Sequence, residues 1–291
     1  MKVSYVMKIG PKYTWRVLRG KLRRLPRYKA SKPPRVAFCL CGLVGGITGK
    51  AGDNLASSVD VLKIGYDQYK KHIFDKNNVD VFVHSWSTDL KADIKKLYKP
   101  KKSLFETNRP FKYPSYAKGE PRRISNHYSR WYSTQKAIEL KAKYEKEQGF
   151  KYDFVMVIRF DLAPQKDILF DRINPKYFYA ANWYSNAPLF GVIPINVLQG
   201  YPYTGMSGLA DLWFFSNSRY MDRFAKLYDK LDEYNKPGSC PLGKQGISNH
   251  ILSGYHLQQS GIIKDLRFIY NQYGPNETMP LIRKKYFGSK I

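Results

Sequence analysis

Apolar runs and helix-period stretches alternate along the chain after a basic opening segment. Residues 36–40 form a short apolar run, and residues 53–74 repeat apolar positions at the spacing of a helix. Residues 79–86 form a second run rich in β-branched side chains. A strand, a helix and a second strand in this order predict a βαβ unit, and therefore a parallel sheet.

A third apolar run, residues 154–158, predicts a buried strand that ends in charged side chains. Arg159 and Asp161 follow the run, and Pro164 marks its end. A carboxylate is thereby delivered to the carboxyl end of a strand. Because ligands bind at the carboxyl ends of the strands in open α/β sheets, we expect a ligand site that includes these two residues.

The remaining segments complete an α/β pattern. Residues 88–126 have no sustained period, which predicts either a mobile insertion over the site or an ordinary surface excursion. Residues 129–146 and 219–235 have helical periodicity, and residues 204–217 read as a polar loop that leads into an apolar strand. The predicted fold class is α/β, with a central, mostly parallel sheet flanked by helices.

Length and composition indicate one large folded unit. The 291 residues are 43% hydrophobic and 15% aromatic, which is ample for a core. Residues 1–34 are strongly basic and end in a proline-containing linker, so we expect a basic arm there and one domain over residues 35–291. The arm is either solvated or packed on the domain, or it forms an amphipathic helix that associates peripherally with an anionic membrane.

The charge of the chain favours anionic partners. Lys and Arg number 50 against 23 Asp and Glu, which gives a formal net charge of +27. A protein of this charge attracts nucleic acid, anionic membranes and phosphorylated small molecules, and charge alone does not choose among them.

Cysteine usage and hydropathy bear on the compartment. The odd number of cysteines, with Cys39 and Cys41 two positions apart on a predicted strand, favours a reduced compartment, and their spacing predicts no zinc site. No apolar stretch reaches the roughly 20 residues of a membrane span. The amino terminus also lacks the apolar core of a signal peptide. These features predict a cytoplasmic protein.

Two segments carry a resemblance to a known family. The sequence KYDFVMVIRFDLAP, residues 151–164, ends a buried strand in R-x-D, and VDVFVHSW, residues 79–86, places His and Trp at the end of another strand. Together they resemble nucleotide-sugar glycosyltransferases with a GT-A-like, Rossmann-like fold, in which a D-x-D motif stands at the R-x-D position. The resemblance extends over roughly residues 35–260. It implies transfer of a sugar from a nucleoside-diphosphate donor, such as a UDP-sugar, to a hydroxyl of a glycan or glycolipid acceptor.

The resemblance also implies a cofactor. Asp161 would bind a divalent metal, Mn²⁺ or Mg²⁺, that neutralises the donor diphosphate. This chain departs from the family because Arg159 stands where the first acidic residue is expected. Three alternatives stay open: Asp161 carries the metal nearly alone, cationic side chains replace the metal, or Arg159 and Asp161 merely pair with each other.

Further site residues follow from the same resemblance. Asp211 is expected to be the general base or the acceptor anchor, and His250 or His256 to complete a metal or phosphate site. The structural alternatives are a loop-fixing Asp211, a His84 bonded to a neighbouring loop and a solvent-facing Lys136. The residues expected to contact the donor nucleotide are Cys41, Gly42, Leu43, Gly45, His84, Lys136 and Arg159.

A second class of function is a basic nucleic-acid-binding protein without enzymatic activity. It would account for the net charge and for the 24 tyrosines, whose rings can stack on bases. The positive charge is spread along the whole chain, however, and no zinc-finger, RNP or KH signature is present. Nothing in this alternative requires a carboxylate at a strand end, so the transferase is the preferred hypothesis and nucleic acid is not the expected partner.

Overall fold

The computed structural model describes residues 28–45, 58–182, 209–240, 248–271 and 278–282. Its described part is an α/β fold with one mixed, mostly parallel sheet flanked by helices, compatible with a Rossmann-like arrangement. The predicted α/β class is therefore confirmed. Among the described residues, no helix is both long enough and apolar enough to cross a membrane.

The sheet has seven strands in the described part, in the order β3-β2-β1-β4-β6-β5-β7. The strands are β1 (Arg35–Gly42), β2 (Asn78–Ser85), β3 (Lys102–Phe105), β4 (Phe154–Arg159), β5 (Phe178–Asn182), β6 (Trp213–Ser216) and β7 (Leu266–Asn271). The α-helices are α1 (Ser58–His72), α2 (Lys91–Tyr98), α3 (Pro121–Gln148), α4 (Ser218–Ala225), α5 (Leu231–Tyr234) and α6 (Asn249–Gln259).

The strand order reverses at β1, which lies between β2 and β4. Strand β1 pairs in parallel with both neighbours, and β2 pairs in parallel with β3. Strand β6 is antiparallel to β4 and β5, and β7 is parallel to β5. The carboxyl ends of β1, β2 and β4 and the amino end of β6 therefore share one edge, which we call the carboxyl edge. Ligands bind at such an edge, next to the reversal of strand order.

Both faces of the central strands are covered, which explains their continuous apolar runs. Phe38 and Leu40 project into a core shared with α1 and α2, whereas Cys39 and Cys41 project into a second core under α3. The two cysteines thus share a face, as their spacing predicts. Burial raises the pKa of the Cys39 thiol far above its ordinary value, so this cysteine is a packing residue rather than a nucleophile.

Residues 88–126, predicted to be a mobile insertion or a surface excursion, contain regular structure that their pattern does not reveal. The region contains α2 and β3, and β3 extends the sheet beside β2. Helix α3 also begins within it, at Pro121, earlier than its periodicity indicates. The Glu120 side chain accepts hydrogen bonds from the backbone N–H groups of Arg122 (2.9 Å) and Arg123 (2.8 Å), a cap that precedes the apolar period.

Helix α1 packs directly against the backbone at the end of β4. Gly65 makes this approach possible, because a Cβ there would lie 2.6 Å from the carbonyl oxygen of Phe160. One turn further on, the buried Tyr69 donates its hydroxyl to the carbonyl of Arg159. Helix α1 therefore fixes the backbone from which the Arg159 and Asp161 side chains project.

Replacement of Gly65 by Ala is expected to lower the free energy of unfolding by about 1–3 kcal/mol, because the new methyl group must displace backbone rather than a flexible side chain. Alanine would otherwise favour the helix by roughly 1 kcal/mol. Lys63→Ala, at an exposed position of α1, is the control and should change stability by less than about 0.5 kcal/mol. Urea unfolding measures both. A Gly65→Ala variant as stable as the wild type would contradict this packing.

Candidate functional site

Side chains from β1, β4, β6 and α3 meet at the carboxyl edge, next to the reversal of strand order. Cys41 lies opposite Arg159 in the pairing of β1 with β4. Trp213, the first residue of β6, lies opposite Ile158, so the preceding Asp211 is brought to the same edge. The strand ends that the sequence singled out are thus neighbours in the fold.

Arg159 and Asp161 form an ion pair with two hydrogen bonds. Arg159 donates from Nε to Oδ1 of Asp161 at 2.7 Å and from Nη2 to Oδ2 at 2.5 Å. The Asp161 side chain is only 7% exposed and that of Arg159 is 31% exposed. Burial opposes the charge of Arg159, but Asp161 and Asp211 together hold the pKa of the guanidinium above its ordinary value. Both carboxylate oxygens of Asp161 therefore accept a hydrogen bond from the Arg159 guanidinium.

The backbone of Asp161 is held by a second segment of the chain. Its carbonyl accepts a hydrogen bond from the N–H of Ile282 at 2.9 Å, and the N–H of Ala163 donates to the carbonyl of Pro280 at 2.9 Å. These bonds align residues 278–282 beside the loop that follows β4. Together with the packing of α1, they leave the carboxylate little freedom to move away from Arg159.

Arg130 is the site residue that the sequence did not identify. It projects from the first half of α3 and donates from Nη1 to Thr134 Oγ1 (2.5 Å) and Cys41 Sγ (3.0 Å), and from Nη2 to the carbonyl of Asp211 (2.7 Å). All of these acceptors are uncharged groups. Its Nε atom is buried and has no hydrogen-bond partner among the described residues. Arg130 therefore brings a cation to the edge that no described carboxylate contacts directly.

Asp211 lies among cationic and titratable side chains. Burial would raise the pKa of its carboxyl group, but His250, Arg130, Arg159 and His127 hold this pKa below its ordinary value. The nearest of these contacts is from His250 Nδ1 to Asp211 Oδ1, at 3.5 Å. Asp211 is therefore a carboxylate at neutral pH. A carboxylate of lowered pKa is a weak base but a good acceptor for a hydroxyl hydrogen bond.

The turn after β1 is anchored to the end of β2. Gly42 and Gly45 have positive φ angles of 98° and 76°, which glycine adopts without strain. The Ser85 hydroxyl donates to the carbonyl of Gly42 at 3.0 Å. Leu43, between the two glycines, is partly exposed. The turn is thereby held at the carboxyl edge, and its contact with a nucleotide stays a prediction; residue 46 lies outside the described residues.

His84 is directed into the protein. Its side chain is fully buried, with Nδ1 2.7 Å from Ser133 Oγ and Nε2 2.8 Å from Glu106 Oε2. Burial lowers the pKa of its imidazole, and Glu106 offsets part of this effect. Both ring nitrogens thus have protein partners, which agrees with the structural alternative for His84. Its predicted contact with a nucleotide stays a prediction without support from this geometry.

Lys136 also lies apart from the arginine and aspartate side chains of the edge. Its Nζ is 2.7 Å from Glu139 Oε2 and 5.3 Å from the centre of the Tyr132 ring. Arg130 and Thr134, one turn apart on α3, face Cys41 instead. Position 130, rather than position 136, is thus the cationic position of α3 that contacts the end of β1.

Asp161 and His250, the predicted metal ligands, each have a protein partner in the described part of the chain. Among these residues, no three His, Cys, Asp or Glu side chains are placed to hold one ion together. Asp161 is bound by Arg159, and His250 contacts Asp211 and donates from Nδ1 to the carbonyl of Leu209 at 2.8 Å. Outside the described ranges, the sequence contains no histidine or cysteine and only two acidic residues, Asp53 and Glu277.

The structure is thus an α/β fold whose carboxyl edge carries the guanidinium groups of Arg130 and Arg159. Comparisons with known protein families and with curated proteins find no match to the chain. The function is therefore inferred from the chemistry of the carboxyl edge.

His256 does not contribute to the edge. Its Nδ1 is 2.9 Å from the hydroxyl of Tyr234, and its Nε2 is 3.1 Å from the carbonyl of Arg223. Because a carbonyl can only accept, Nε2 carries the proton of the neutral ring. Burial lowers the pKa of His256 to about 4. This histidine is a buried structural residue that must stay neutral in the folded protein.

His256 should make the fold acid-sensitive. Its pKa is 6.5 in the unfolded chain and about 4 in the folded protein, so the stabilisation is complete above pH 6.5 and is lost as the pH falls towards 4. Between pH 7 and pH 5 this amounts to about 2 kcal/mol. Urea unfolding of the wild type and of His256→Gln at both pH values tests it: the variant should lose about 2 kcal/mol less. Equal losses would show that His256 does not titrate in this way.

Proposed function

We propose that the chain is a nucleotide-sugar glycosyltransferase of GT-A-like fold, which transfers a sugar from a nucleoside diphosphate to a hydroxyl of a glycan or glycolipid. One observation carries the proposal. The R-x-D end of β4, the glycine turn after β1 and Asp211 before β6 meet where the strand order reverses. The resemblance of the sequence assigns donor and acceptor roles to these same three segments.

The donor half of the proposed site is cationic. A nucleoside diphosphate leaves as an anion, so transfer requires positive groups where that charge develops. Arg130 contacts Cys41 at the end of β1, and Arg159 is paired with Cys41 on the neighbouring strand. Guanidinium groups bind phosphate oxygens through paired N–H donors. The turn at Gly42 and Gly45 would present backbone to the nucleotide.

We assign the acceptor half to Asp211. In the proposed transfer, the acceptor hydroxyl oxygen forms a bond to the anomeric carbon while the bond from that carbon to the diphosphate oxygen breaks. The hydroxyl proton passes to Asp211, and the bonding electrons leave with the nucleoside diphosphate. Because the pKa of Asp211 is lowered, its main contribution is to accept the hydroxyl hydrogen bond and orient the nucleophile.

The proposal also includes the predicted peripheral contact with an anionic membrane and the predicted cytoplasmic location. A peripheral contact with anionic membrane would use the basic arm, of which residues 1–27 lie outside the described residues. A cytoplasmic enzyme at such a membrane surface could reach a lipid-linked acceptor. Nucleic-acid binding serves as the competing outcome of the first experiment below.

The first test is thermal unfolding with UDP, GDP, CMP and dTDP, each with and without Mn²⁺. A nucleotide present at 100 times its dissociation constant should add about 2.7 kcal/mol to the stability of the protein, and one base should be preferred. A single-stranded oligonucleotide at matched phosphate concentration is the control. Stabilisation by the oligonucleotide alone would contradict the transferase and favour the nucleic-acid-binding alternative.

Asp211→Asn tests the acceptor role. With glycolipid extract as acceptor, the variant should release nucleoside diphosphate from the donor sugar roughly 100-fold more slowly, because the neutral amide is a weaker hydrogen-bond acceptor for the hydroxyl and cannot take its proton. Nucleotide affinity should change by less than about threefold, since the residue is assigned to the acceptor side. Asp93→Asn, at an exposed position of α2, is the charge-matched control. An Asp211→Asn variant with wild-type turnover would remove this residue from the mechanism.

A further inference from the structure

We infer that Arg159 and Arg130 bind the donor diphosphate directly, without a divalent cation, and that Asp161 is a positioning residue that orients Arg159. The inference rests on the proposed function and concerns how the same site neutralises the phosphate charge. It replaces the metal-ligand role that the resemblance implies for Asp161.

Asp161 is already paired with Arg159 in the fold. Both carboxylate oxygens accept N–H groups of Arg159, at 2.7 and 2.5 Å, in a side chain that is only 7% exposed. A divalent ion on the remaining lone pairs of this carboxylate would lie beside the guanidinium, whose positive charge opposes a second cation. The backbone bond to Ile282 and the Tyr69 bond to the adjoining carbonyl hold the two residues in that arrangement.

The described carboxylates that could bind a divalent cation at the edge already lie beside cationic side chains. Magnesium and manganese sites of this kind use one or two carboxylates together with the substrate phosphates. Of the two described carboxylates at the edge, one is paired with Arg159, and the other lies beside Arg130, Arg159 and His250. The charges of the edge are thus arranged to receive an anion rather than a cation.

Arg130 provides a second cation at the edge. Its hydrogen bonds go to the neutral groups of Cys41, Thr134 and the Asp211 carbonyl, so its charge is not cancelled by a direct carboxylate contact within the described residues. The residue is partly exposed. Phosphate oxygens are the acceptors that a guanidinium prefers. Arg130 is therefore a second phosphate-binding group beside Arg159.

Nucleotide titrations in EDTA and in Mn²⁺ separate the two modes of binding. We would use isothermal titration calorimetry with UDP, GDP, CMP and dTDP on the wild type, Arg159→Gln, Arg130→Gln and Asp161→Asn. Arg219→Gln is the control, since it removes the same charge from an exposed arginine that follows β6 at the opposite edge. The wild type and the control should bind one nucleotide in EDTA with an affinity within about threefold of that in Mn²⁺.

The variants should then rank by their contact with phosphate. Arg159→Gln and Arg130→Gln should each weaken binding in EDTA by tenfold or more. Asp161→Asn should weaken nucleotide binding less than either arginine variant. The double variant Arg159→Gln, Asp161→Asn should bind the nucleotide as well as Arg159→Gln alone, because a positioning residue acts only through its partner. A merely structural Asp161 would give additive losses instead. If a glutamine variant fails to fold, Arg159→Lys or Arg130→Lys replaces it, and loss of the paired donors should still weaken binding.

Three results would overturn the inference. Binding that requires Mn²⁺, is abolished by Asp161→Asn and is kept or strengthened by Arg159→Gln would show that the freed carboxylate is a metal ligand, and the proposed transferase would stand. Equal affinity of all the variants in EDTA would place the phosphates elsewhere. If no nucleotide binds in either buffer, the proposed function fails together with the inference.

Discussion

The ion pair between Arg159 and Asp161 is the interaction around which the carboxyl edge is organised. It forms at the end of a strand buried on both faces, where an isolated charge would be costly and a paired one is stable. Helix α1 reaches the same backbone through Gly65 and Tyr69. The pair therefore needs a rigid support, and the close packing of α1 supplies it.

Helix α3 connects this edge to the rest of the protein. The helix has 28 residues and is anchored in its second half by Lys141, which is fully buried and contacts Glu145 and Asp222 at 3.1 and 2.5 Å. Nearer its start, the Trp131 indole donates to the Asn249 side chain of α6 at 3.0 Å. These contacts fix the rotation of α3, and that rotation brings Arg130 to the end of β1. The cation-rich edge is thus a product of helix packing as much as of strand position.

Local pattern was sufficient for the central strands and insufficient for the periphery of the sheet. Strands β1, β2 and β4 show long apolar runs because neighbouring elements bury them. Strand β3 has four residues that are all partly exposed, and α2 buries only Ile94 and Tyr98, so neither has a clear period. Both form because β2 offers an unpaired edge and the core offers a surface, conditions that a local window of sequence does not contain.

The residues of the site likewise comprise some that the local sequence predicts and others that only the fold brings together. The sequence by itself determined that Arg159, Asp161 and the glycine turn lie at strand ends, because the length of an apolar run decides where a strand stops and parallel strands end at one edge. It did not distinguish position 130 from position 136 on α3, which are separated by about 120° around the helix axis. Only tertiary packing decides which face of a helix meets the sheet. For the same reason, only the structure could show that Arg159 occupies both oxygens of Asp161.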